Sequence, residues 1–556
     1  MHVTLAMNSQ LAMRLREILR LAIPALLALI ALNISLAHQN IWPTLWVRTT
    51  PEFSLELIFI VTGIALATAL GHKISSRVQW ALSILLLLFV LARYVDVTAP
   101  ALFGRRIDLY WDTQHVPAIA GMVLESWSMF SLALLGFAIL SLFTALLLII
   151  RLALGTICRA IDHPIYRRIA FSAGVLLLAL YGAGMNSDAL TWERRFAIPI
   201  TPVYFEQARE ITARVSGLSA EAQIFPTPLR QYAELNGLDI FVIFLESYGR
   251  IALDNPAYSR STREKLAQLD ATLNEQDWDT RSAYLTAPTF GGASWLSHSS
   301  LLAGRTIDNH DLYQAFLHSR NEILTDRFRK AGYRSVLLTP GIRGHWPAGL
   351  ALRFDRIVAA KDIAYEGQGF GWWHIPDQYS LDWLASSEIN TPERHPLFVM
   401  FPTIMSHFPF GPVPPYLEDW NALSTPTPFD EENVARSIAL GDAFSGDLKD
   451  IYRRAILYNL ETVSGFISER APESAIIIAI GDHQPPAAIS GEDAPWDIPI
   501  HVFARDALLL APFERTGFVD GMIPQGQSIG RIDELNALIL EALEKTSSTS
   551  IVAGGD

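Results

Sequence analysis

The sequence predicts a protein of two parts: five N-terminal transmembrane helices, followed by an α/β domain with a mostly parallel central sheet. Three observations lead to this prediction. The chain has 556 residues, more than a single compact core usually contains. Its excess of apolar residues is concentrated in about the first 190 positions. Beyond them, short apolar runs alternate with helical patterns, which is typical of a parallel sheet covered by helices on both faces.

The first part contains five apolar stretches close to the length of about 20 residues that crosses a bilayer as a helix. They are residues 18–37, 55–69, 78–95, 130–150 and 169–185. The second stretch is the shortest and contains Gly63. The first is too long for a cleavable signal peptide and is followed by further spans. We therefore expect an integral membrane protein.

Lysine and arginine mark one side of these stretches. They precede the first stretch, separate the second from the third, and separate the fourth from the fifth: Arg14, Arg16, Arg20, Lys73, Arg77, Arg151, Arg159, Arg167 and Arg168. This pattern places the N-terminus in the cytoplasm, and five crossings place the second part outside. The expected location is a bacterial inner membrane. The expected parts are a membrane domain at 1–188, a linker on the membrane surface at 189–237, a periplasmic or extracellular domain at 238–545 and a disordered tail at 546–556.

Charge and cysteine content exclude several classes of function. The net charge of −13 argues against nucleic acid as a partner, because phosphate binding requires clustered lysine and arginine. Cys158 is the one cysteine, so the chain forms no internal disulfide and no thiolate metal cluster. We interpret Cys158 as an ordinary residue near a helix end.

Five apolar runs without polar alternation are predicted to be buried strands: residues 239–245, 335–338, 397–401, 475–480 and 500–503. Helical patterns lie between them, for example at 323–331 and 451–471. Ligands of parallel α/β sheets bind beyond the carboxyl ends of the strands. The residues that follow each strand are therefore the first place to look for a site.

Metal-ligating side chains follow four of these strands. Glu246 follows the first, and the pair Asp482-His483 follows the run at 475–480. His407 follows the 397–401 strand, and His345 with Trp346 follows the 335–338 strand. Each residue alone is explained as well by a helix cap, a turn or a hydrogen-bonded loop. Together, carboxylates and imidazole at one sheet edge predict a site for Mn²⁺, Mg²⁺ or Zn²⁺.

The segment 286–304 is rich in glycine and hydroxyl residues and then turns apolar. A hydroxyl at the start of a helix gains from the helix dipole and from free backbone N–H groups, which also hold an anion. A metal ion bound to that hydroxyl would make it nucleophilic. The alternative is an ordinary Ser/Gly-rich helix cap.

Three motifs carry a resemblance to the alkaline phosphatase superfamily, in its sulfatase-like branch: Phe244-Leu245-Glu246-Ser247-Tyr248-Gly249, the segment from Ser294 to Gly304, and Gly481-Asp482-His483. The resemblance implies that Glu246, Asp482 and His483 are metal ligands. Counting back from Leu301-Leu302-Ala303-Gly304 places Ser294 on the nucleophile, which is also a ligand. Thr289, Ser297 and Ser299 are competitors for that position.

Five spans followed by an external domain of this kind resemble lipoteichoic acid synthase and the phosphoglycerol and phosphoethanolamine transferases. The resemblance implies a metal-dependent transferase that moves such a headgroup from a membrane phospholipid to a glycan or lipid acceptor through a serine-linked intermediate. It implies one divalent ion, with Mn²⁺ favoured over Zn²⁺ or Mg²⁺. His407 would contact the phosphoryl oxygens or protonate the leaving group, and His345 and Trp346 would bind the headgroup.

The sequence departs from these relatives in three ways. Ser294 stands where the transferases usually have threonine. Leu296 and His298 occupy the two signature positions that sulfatases need for formylglycine, which disfavours that modification. The absence of cysteine from the second part favours transfer of phosphoglycerol over phosphoethanolamine. The alternatives are a membrane-anchored phosphodiesterase or sulfatase that uses water as the acceptor, and a non-enzymatic lipid-binding regulator, which would lack some of these ligands.

Overall fold

A computed structural model of the chain divides into two units, Met1–Ala220 and Glu221–Asp556. The structure describes residues 2–42, 44–117, 120–121, 124, 128–185, 195–216, 234–344, 346–370, 373–440, 447–491 and 493–544. Parts of the predicted linker, at 189–194 and 217–233, and the predicted tail at 546–556 lie outside these ranges.

The first unit is helical, with a two-stranded hairpin after its first helix. The helices are α1 His2–Ala37, α2 Leu55–Ala69, α3 Ser76–Phe103, α4 Leu109–Asp112, α5 Met129–Ile161, α6 Pro164–Met185 and α7 Ile200–Val215. The hairpin strands are β1 Gln39–Asn40 and β2 Val47–Arg48. Side chains of α1, α2, α3 and α5 form the apolar core of this unit.

Four of these helices are long and apolar enough to cross a membrane: Arg20–Ala37, Ser76–Leu102, Met129–Ile161 and Pro164–Gly184. The fifth predicted span, α2, has 15 residues. At about 1.5 Å per residue it extends about 22 Å, which is short of a hydrocarbon layer about 30 Å thick. The structure thus confirms four long apolar helices, and a fifth crossing at α2 remains a prediction.

Buried polar contacts tie the segment that follows α6 to the first unit. Arg93 in α3 is 1% exposed and donates to the carbonyl oxygens of His38 at 3.0 Å and Ile198 at 3.2 Å. The Glu56 carboxylate accepts the backbone N–H of Ile200 at 2.6 Å. A buried guanidinium needs such partners because its desolvation is costly. Residues 195–216 of the predicted linker therefore pack on the helices of the first unit, whereas Asn236, near its end, bonds to Leu543 of the second unit.

The second unit is built on an eight-stranded sheet. Its strands are β3 Ile240–Leu245, β4 Asp279–Thr286, β5 Arg334–Thr339, β6 Arg356–Ala359, β7 Leu397–Pro402, β8 Ile476–Gly481, β9 Asp497–Ala504 and β10 Val519–Asp520. Their order across the sheet is β10-β4-β9-β8-β3-β7-β5-β6. All five predicted strands are present, together with β4, β6 and β10.

The direction of each strand decides which loops share an edge. Strands β3, β5, β6, β7 and β8 run parallel, and β9 runs antiparallel to both β8 and β4. The edge at which β3, β5, β7 and β8 end is named the carboxyl edge. Because β9 is antiparallel, its first residue lies at this edge, and so does the last residue of β4.

Helices cover both faces of the sheet. They are α8 Ile251–Asp254, α9 Ser259–Asn274, α10 Ser294–Ala303, α11 His310–His318, α12 Leu324–Lys330, α13 Pro347–Leu350, α14 Asp377–Leu384, α15 Glu431–Leu440, α16 Leu448–Glu469, α17 Ala487–Ser490, α18 Ala511–Arg515 and α19 Leu535–Ala542. Alternate residues of β3 enter two separate cores: Phe241 packs with Phe466 of α16, and Val242 packs in the core that contains Leu301 of α10. A strand buried on both sides has no polar alternation, which explains its continuous apolar sequence.

A chain of buried polar groups crosses the sheet next to β8. The ring of His501 in β9 lies between the Tyr248 hydroxyl, 3.2 Å from Nε2, and the Ser282 hydroxyl, 2.8 Å from Nδ1. All three side chains are buried. Burial lowers the pKa of His501 to about 3, so the ring is neutral in the folded protein at neutral pH.

We predict that His501 makes stability depend on pH. Because its folded pKa lies below the ordinary value of about 6.5, its contribution is fully present above pH 6.5 and is lost as the pH falls towards 3, at about 1.4 kcal/mol per pH unit. Substitution His501→Gln keeps hydrogen-bonding capacity without titration. Between pH 7.5 and pH 4.5, the melting temperature measured in detergent should fall less steeply for the variant than for wild type. Parallel curves for the two proteins would contradict the prediction.

Candidate active site and metal centre

Parallel pairing of β3 with β8 brings two carboxylates together at the carboxyl edge. Leu245 and Gly481 are register partners, so the next residues, Glu246 and Asp482, leave the sheet side by side. A Cβ on Gly481 would collide with the Tyr248 carbonyl oxygen. Only glycine allows this close approach, which explains the first residue of the Gly-Asp-His motif.

Glu246, Asp482 and His483 form a buried cluster. One ligand atom of each lies within 4.8 Å of the others. His483 Nε2 is 3.4 Å from Glu246 Oε1 and 3.4 Å from Asp482 Oδ2. Two carboxylates and one imidazole within this radius can hold a divalent ion. The structure thus places the three predicted ligands together.

The hydrogen bonds of His483 leave one ring nitrogen free to bind a metal. Its Nδ1 lies 2.7 Å from the Gln484 carbonyl oxygen. A carbonyl only accepts, so Nδ1 carries hydrogen and, in the neutral ring, Nε2 presents a lone pair to the two carboxylates. Backbone carbonyls commonly orient metal-bound histidines in this way.

The electrostatics of the cluster call for positive charge. Burial, together with the Glu246 charge, raises the pKa of Asp482 well above its ordinary value. Burial also acts to raise the pKa of Glu246, but the charges of His407 and His483 outweigh it and hold that pKa low. Burial opposes protonation of His483, yet the charges of Asp482 and Glu246 raise its pKa to about 9. Two carboxylates in low dielectric need a compensating cation.

A strained loop delivers Ser294 to this cluster. Gly291, Gly292 and Ala293 all have positive φ, and the Thr289 hydroxyl donates to the Gly292 carbonyl at 2.7 Å. Ala293 is not glycine, and its left-handed conformation stores strain immediately before α10 begins. Ser294 is thereby the first residue of the helix, where backbone N–H groups and the dipole favour an anion.

Hydrogen bonding distinguishes Ser294 from the competing hydroxyls. Its Oγ lies 2.9 Å from Glu246 Oε2 and 3.1 Å from His483 Nε2. The Ser297 hydroxyl instead donates to the Asp482 carbonyl at 2.6 Å and is fully buried. Ser299 is also buried, and Thr289 is engaged with Gly292. Of these four hydroxyls, that of Ser294 is the one bonded to the side chains of the cluster; the Ser247 hydroxyl also donates to Glu246 Oε1, at 3.1 Å.

An unpartnered atom indicates that the cluster fits a metal ion. Asp482 Oδ1 accepts the backbone N–H groups of Ser247 at 2.8 Å and His483 at 2.7 Å. Asp482 Oδ2 is buried and has no hydrogen-bond partner among the described residues, which costs free energy unless a cation is bound. With Glu246, His483 Nε2 and Ser294 Oγ, the donors are three oxygens and one nitrogen, which suits Mn²⁺, Zn²⁺ or Mg²⁺.

His407 lies beside the cluster, and an aromatic ring supports it. Its Nδ1 is 2.8 Å from the Phe408 carbonyl oxygen, which directs Nε2 away from the backbone. The ring in edge contact with His407 is that of Trp373, at 4.9 Å between centroids. Trp346 packs on Gly349 and the core beneath it. His345 lies outside the described residues.

A layer of buried polar residues behind the site was missed in the sequence. Asn459 of α16 donates to the hydroxyls of Thr403 at 2.9 Å and Ser406 at 2.6 Å. The Thr403 hydroxyl accepts the N–H of Glu246 at 3.1 Å, and Ser406 donates to the Glu246 carbonyl at 2.5 Å. These contacts fix the backbone of the Glu246 ligand. No signal in the sequence connects Asn459 with residues more than 50 positions away.

His298 is a second histidine close to the site. It follows Ser294 by one helical turn, and its ring lies 4.3 Å from that of Phe244. Burial lowers its pKa to about 4, so the ring is neutral at physiological pH. Its Nε2 is buried and has no partner among the described residues. The sequence showed this residue only as a departure from the sulfatase signature.

No protein-family model matches the chain, and no curated protein matches it. Solved structures do. Lipoteichoic acid synthase LtaP from Listeria monocytogenes has a TM-score of 0.37 and 12% identity, over 59% of this chain and 78% of that chain. Phosphoglycerol transferase GacH from Streptococcus pyogenes has a TM-score of 0.35 and 12% identity, over 59% and 80%. A Vibrio parahaemolyticus protein of the alkaline phosphatase superfamily has a TM-score of 0.34 and 16% identity, over 55% and 71%.

Identities and TM-scores this low carry no argument about the family or the activity of this chain. What this chain does must therefore be inferred from its own residues at the carboxyl edge.

We predict that Asp482→Asn separates two effects of the Asp482 carboxylate, which lowers the stability of the metal-free protein and contributes to stabilisation by a bound metal ion. In metal-free protein the substitution removes a carboxyl group whose raised pKa lowers stability at neutral pH, so the melting temperature should rise by about 2 °C or more. In wild type, Mn²⁺ at about 100 times its Kd should add about 2.7 kcal/mol, and the variant should lose most of that gain. Unfolding monitored with chelator and with metal tests both effects.

Asp254→Asn is the matched control, because Asp254 is a partly exposed carboxylate paired with Arg250 and Arg263. It should keep the full stabilisation by metal. Equal gains from metal in wild type and Asp482→Asn would show that the ion binds elsewhere.

Proposed function

We propose that the chain is a membrane-anchored transferase that moves a phospho-headgroup from a phospholipid to a hydroxyl acceptor through a covalent Ser294 intermediate. The observation that carries the proposal is the contact of the Ser294 hydroxyl with both Glu246 and His483, at 2.9 and 3.1 Å. Four apolar helices long enough to span a bilayer favour a lipid as the donor. Glycerol phosphate is the favoured headgroup, with phosphoethanolamine second.

Glu246, Asp482, His483 and the Ser294 hydroxyl would hold one divalent ion, Mn²⁺ before Zn²⁺ or Mg²⁺. Such an ion supplies Lewis acidity, which lowers the pKa of a bound hydroxyl and offsets negative charge on phosphoryl oxygens. Ser294 donates its hydrogen bond to Glu246 Oε2, so its proton already points at an acceptor. The start of α10 lies at the same place, and the positive end of its helix dipole favours an anionic phosphoryl group.

The first step forms a bond between Ser294 Oγ and phosphorus, with the hydroxyl proton passing to Glu246 Oε2, and breaks the bond from phosphorus to the diacylglycerol oxygen. That oxygen takes a proton, and we assign its delivery to His407 Nε2. The Nδ1 of His407 is held by the Phe408 carbonyl, so the ring cannot turn away without losing that bond. Diacylglycerol leaves, and the headgroup phosphate remains esterified to Ser294.

The second step reverses these roles. The hydroxyl of a glycan or lipid acceptor attacks phosphorus and passes its proton to His407, and the Ser294 oxygen leaves and takes its proton back from Glu246. In two-step transfer, the group that acts as general acid in the first step commonly acts as general base in the second.

We propose that the second unit lies outside the cytoplasm, where such acceptors lie, with α2 as the fifth membrane crossing.

Hydrolysis is the second candidate, because Ser294 is partly exposed and water can reach the same phosphorus. The two reactions share the first step and differ in what accepts the headgroup. With isotope-labelled phosphatidylglycerol, transfer makes headgroup release depend on an added glycolipid acceptor. Release at an unchanged rate without any acceptor would instead identify a phosphodiesterase.

We predict that Ser294→Ala lowers headgroup release from phosphatidylglycerol by about a thousandfold or more, because the attacking atom is removed. Ser294→Thr keeps a hydroxyl and should retain measurable activity. Ser297→Ala and Thr289→Ala, which alter the competing hydroxyls, should keep at least about a tenth of wild-type activity. The measurement is diacylglycerol formation by purified full-length protein in vesicles.

Melting temperatures of all four variants serve as the folding control. Wild-type rates in Ser294→Ala with intact folding would remove Ser294 from the mechanism. A collapse of activity in Ser297→Ala alone would assign the nucleophile to that residue.

A further inference from the structure

Exposed aromatic side chains in the second unit are confined to two positions among its described residues. Phe408 is 49% exposed and Trp496 is 44% exposed. The other large apolar side chains exposed there are aliphatic: Leu350, Ile438, Leu440, Leu508 and Ile529. The pair Phe408 and Trp496 is named the aromatic rim.

Both members of the rim lie at the carboxyl edge, next to the proposed active site. Phe408 directly follows His407, beyond the end of β7. Trp496 directly precedes the first residue of β9, which lies at the same edge because β9 is antiparallel to β8. Its carbonyl accepts the N–H of Ala287 at 3.0 Å, and its ring is 5.8 Å from that of Phe290. Trp496 thus borders the loop that leads to Ser294.

Exposure of tryptophan and phenylalanine to water is unfavourable, and these residues are common where a protein meets the bilayer interface. A stable protein partner would require a broader contiguous apolar surface than two separate rings provide. A lipid surface accepts single aromatic anchors, because each ring inserts independently. The same chain carries four helices of membrane-spanning length, so a bilayer is always within its reach.

We propose that Phe408 and Trp496 insert into the lipid surface and hold the carboxyl edge against the headgroups of the bilayer. The role of this docking surface, which would present a lipid phosphodiester to Ser294, rests on the proposed function. The rings themselves touch no reacting atom. Their contribution is therefore expected for a substrate embedded in a bilayer and not for a small substrate dissolved in water.

A fluorescent probe tests the docking without any catalysis. Cys158 is the one cysteine, so Cys158→Ser gives a background for single labelling at Phe408→Cys with an environment-sensitive dye. The full-length protein is reconstituted in vesicles of phosphatidylethanolamine and phosphatidylglycerol that carry nitroxide-labelled acyl chains. Leu508→Cys is the matched control, because Leu508 is 80% exposed and follows the far end of β9.

We expect strong nitroxide quenching and a blue-shifted emission for the label at 408, and neither for the label at 508. Equal quenching at both positions, or none at 408, would overturn the proposal. Because this readout needs no turnover, quenching at 408 by a protein that cleaves no lipid would contradict the proposed function and leave the docking surface standing.

Activity provides a second test. Trp496→Ala, which leaves the Phe408 carbonyl on His407 unchanged, should lower headgroup release from vesicle phosphatidylglycerol by about fivefold, since interfacial binding scales with inserted apolar area. Hydrolysis of a water-soluble nitrophenyl phosphodiester should stay within about twofold of wild type under the same principle. The conservative variant Trp496→Phe should restore most of the vesicle activity. An equal loss on both substrates would show that the rim acts on the site itself and would overturn the proposal.

Discussion

The burial of two carboxylates side by side is the constraint on which the rest of the site depends. Parallel pairing of β3 with β8 forces Glu246 and Asp482 out of the sheet at one point, and both are buried. Like charges in low dielectric are unstable without a cation. The imidazole of His483 relieves part of the repulsion, and the unpartnered Oδ2 of Asp482 shows that a further positive charge is needed. A divalent ion would meet that need and, under the proposed function, would activate the Ser294 hydroxyl beside it.

Two structural features around the carboxylates position the Ser294 hydroxyl and fix the backbone of the Glu246 ligand. The strained turn through Gly292 and Ala293 begins α10 at Ser294, so that the proposed nucleophile, a helix N-terminus and the cluster lie together. Behind them, Asn459 holds the backbone of Glu246 through two hydroxyls. Removal of any one of these supports would move ligands whose mutual spacing is only a few ångströms. Backbone strain and buried polar groups at this place favour reactivity and lower stability.

Much of this arrangement was predictable, and the reasons differ by element. Glu246, Asp482 and His483 were found because parallel strands end at one edge, so positions far apart in sequence meet. β4 was missed because its residues, such as Arg281 and Ser282, alternate with apolar ones and do not form a continuous run. The contact of Trp373 with His407 was missed, since a sequence shows that an aromatic residue is present but not where its ring points; a headgroup contact by Trp346 stays a prediction. The buried polar residues behind the site, Asn459, Thr403 and Ser406, come together through the packing of α16, which no local sequence pattern predicts. The apolar sequence of α2 predicted a fifth membrane span, but the helix has 15 residues and is shorter than a bilayer crossing requires, so this span stays a prediction.

The central claim is that the carboxylate cluster binds the ion that activates Ser294. Crystals grown with Mn²⁺ and measured at its absorption edge test it most directly. The expected result is a single strong anomalous peak within about 2.0–2.3 Å of a Glu246 oxygen, Asp482 Oδ2 and His483 Nε2, with Ser294 Oγ as a further ligand. An active protein whose anomalous peak lies elsewhere, with these side chains bonded only to each other, would contradict the claim.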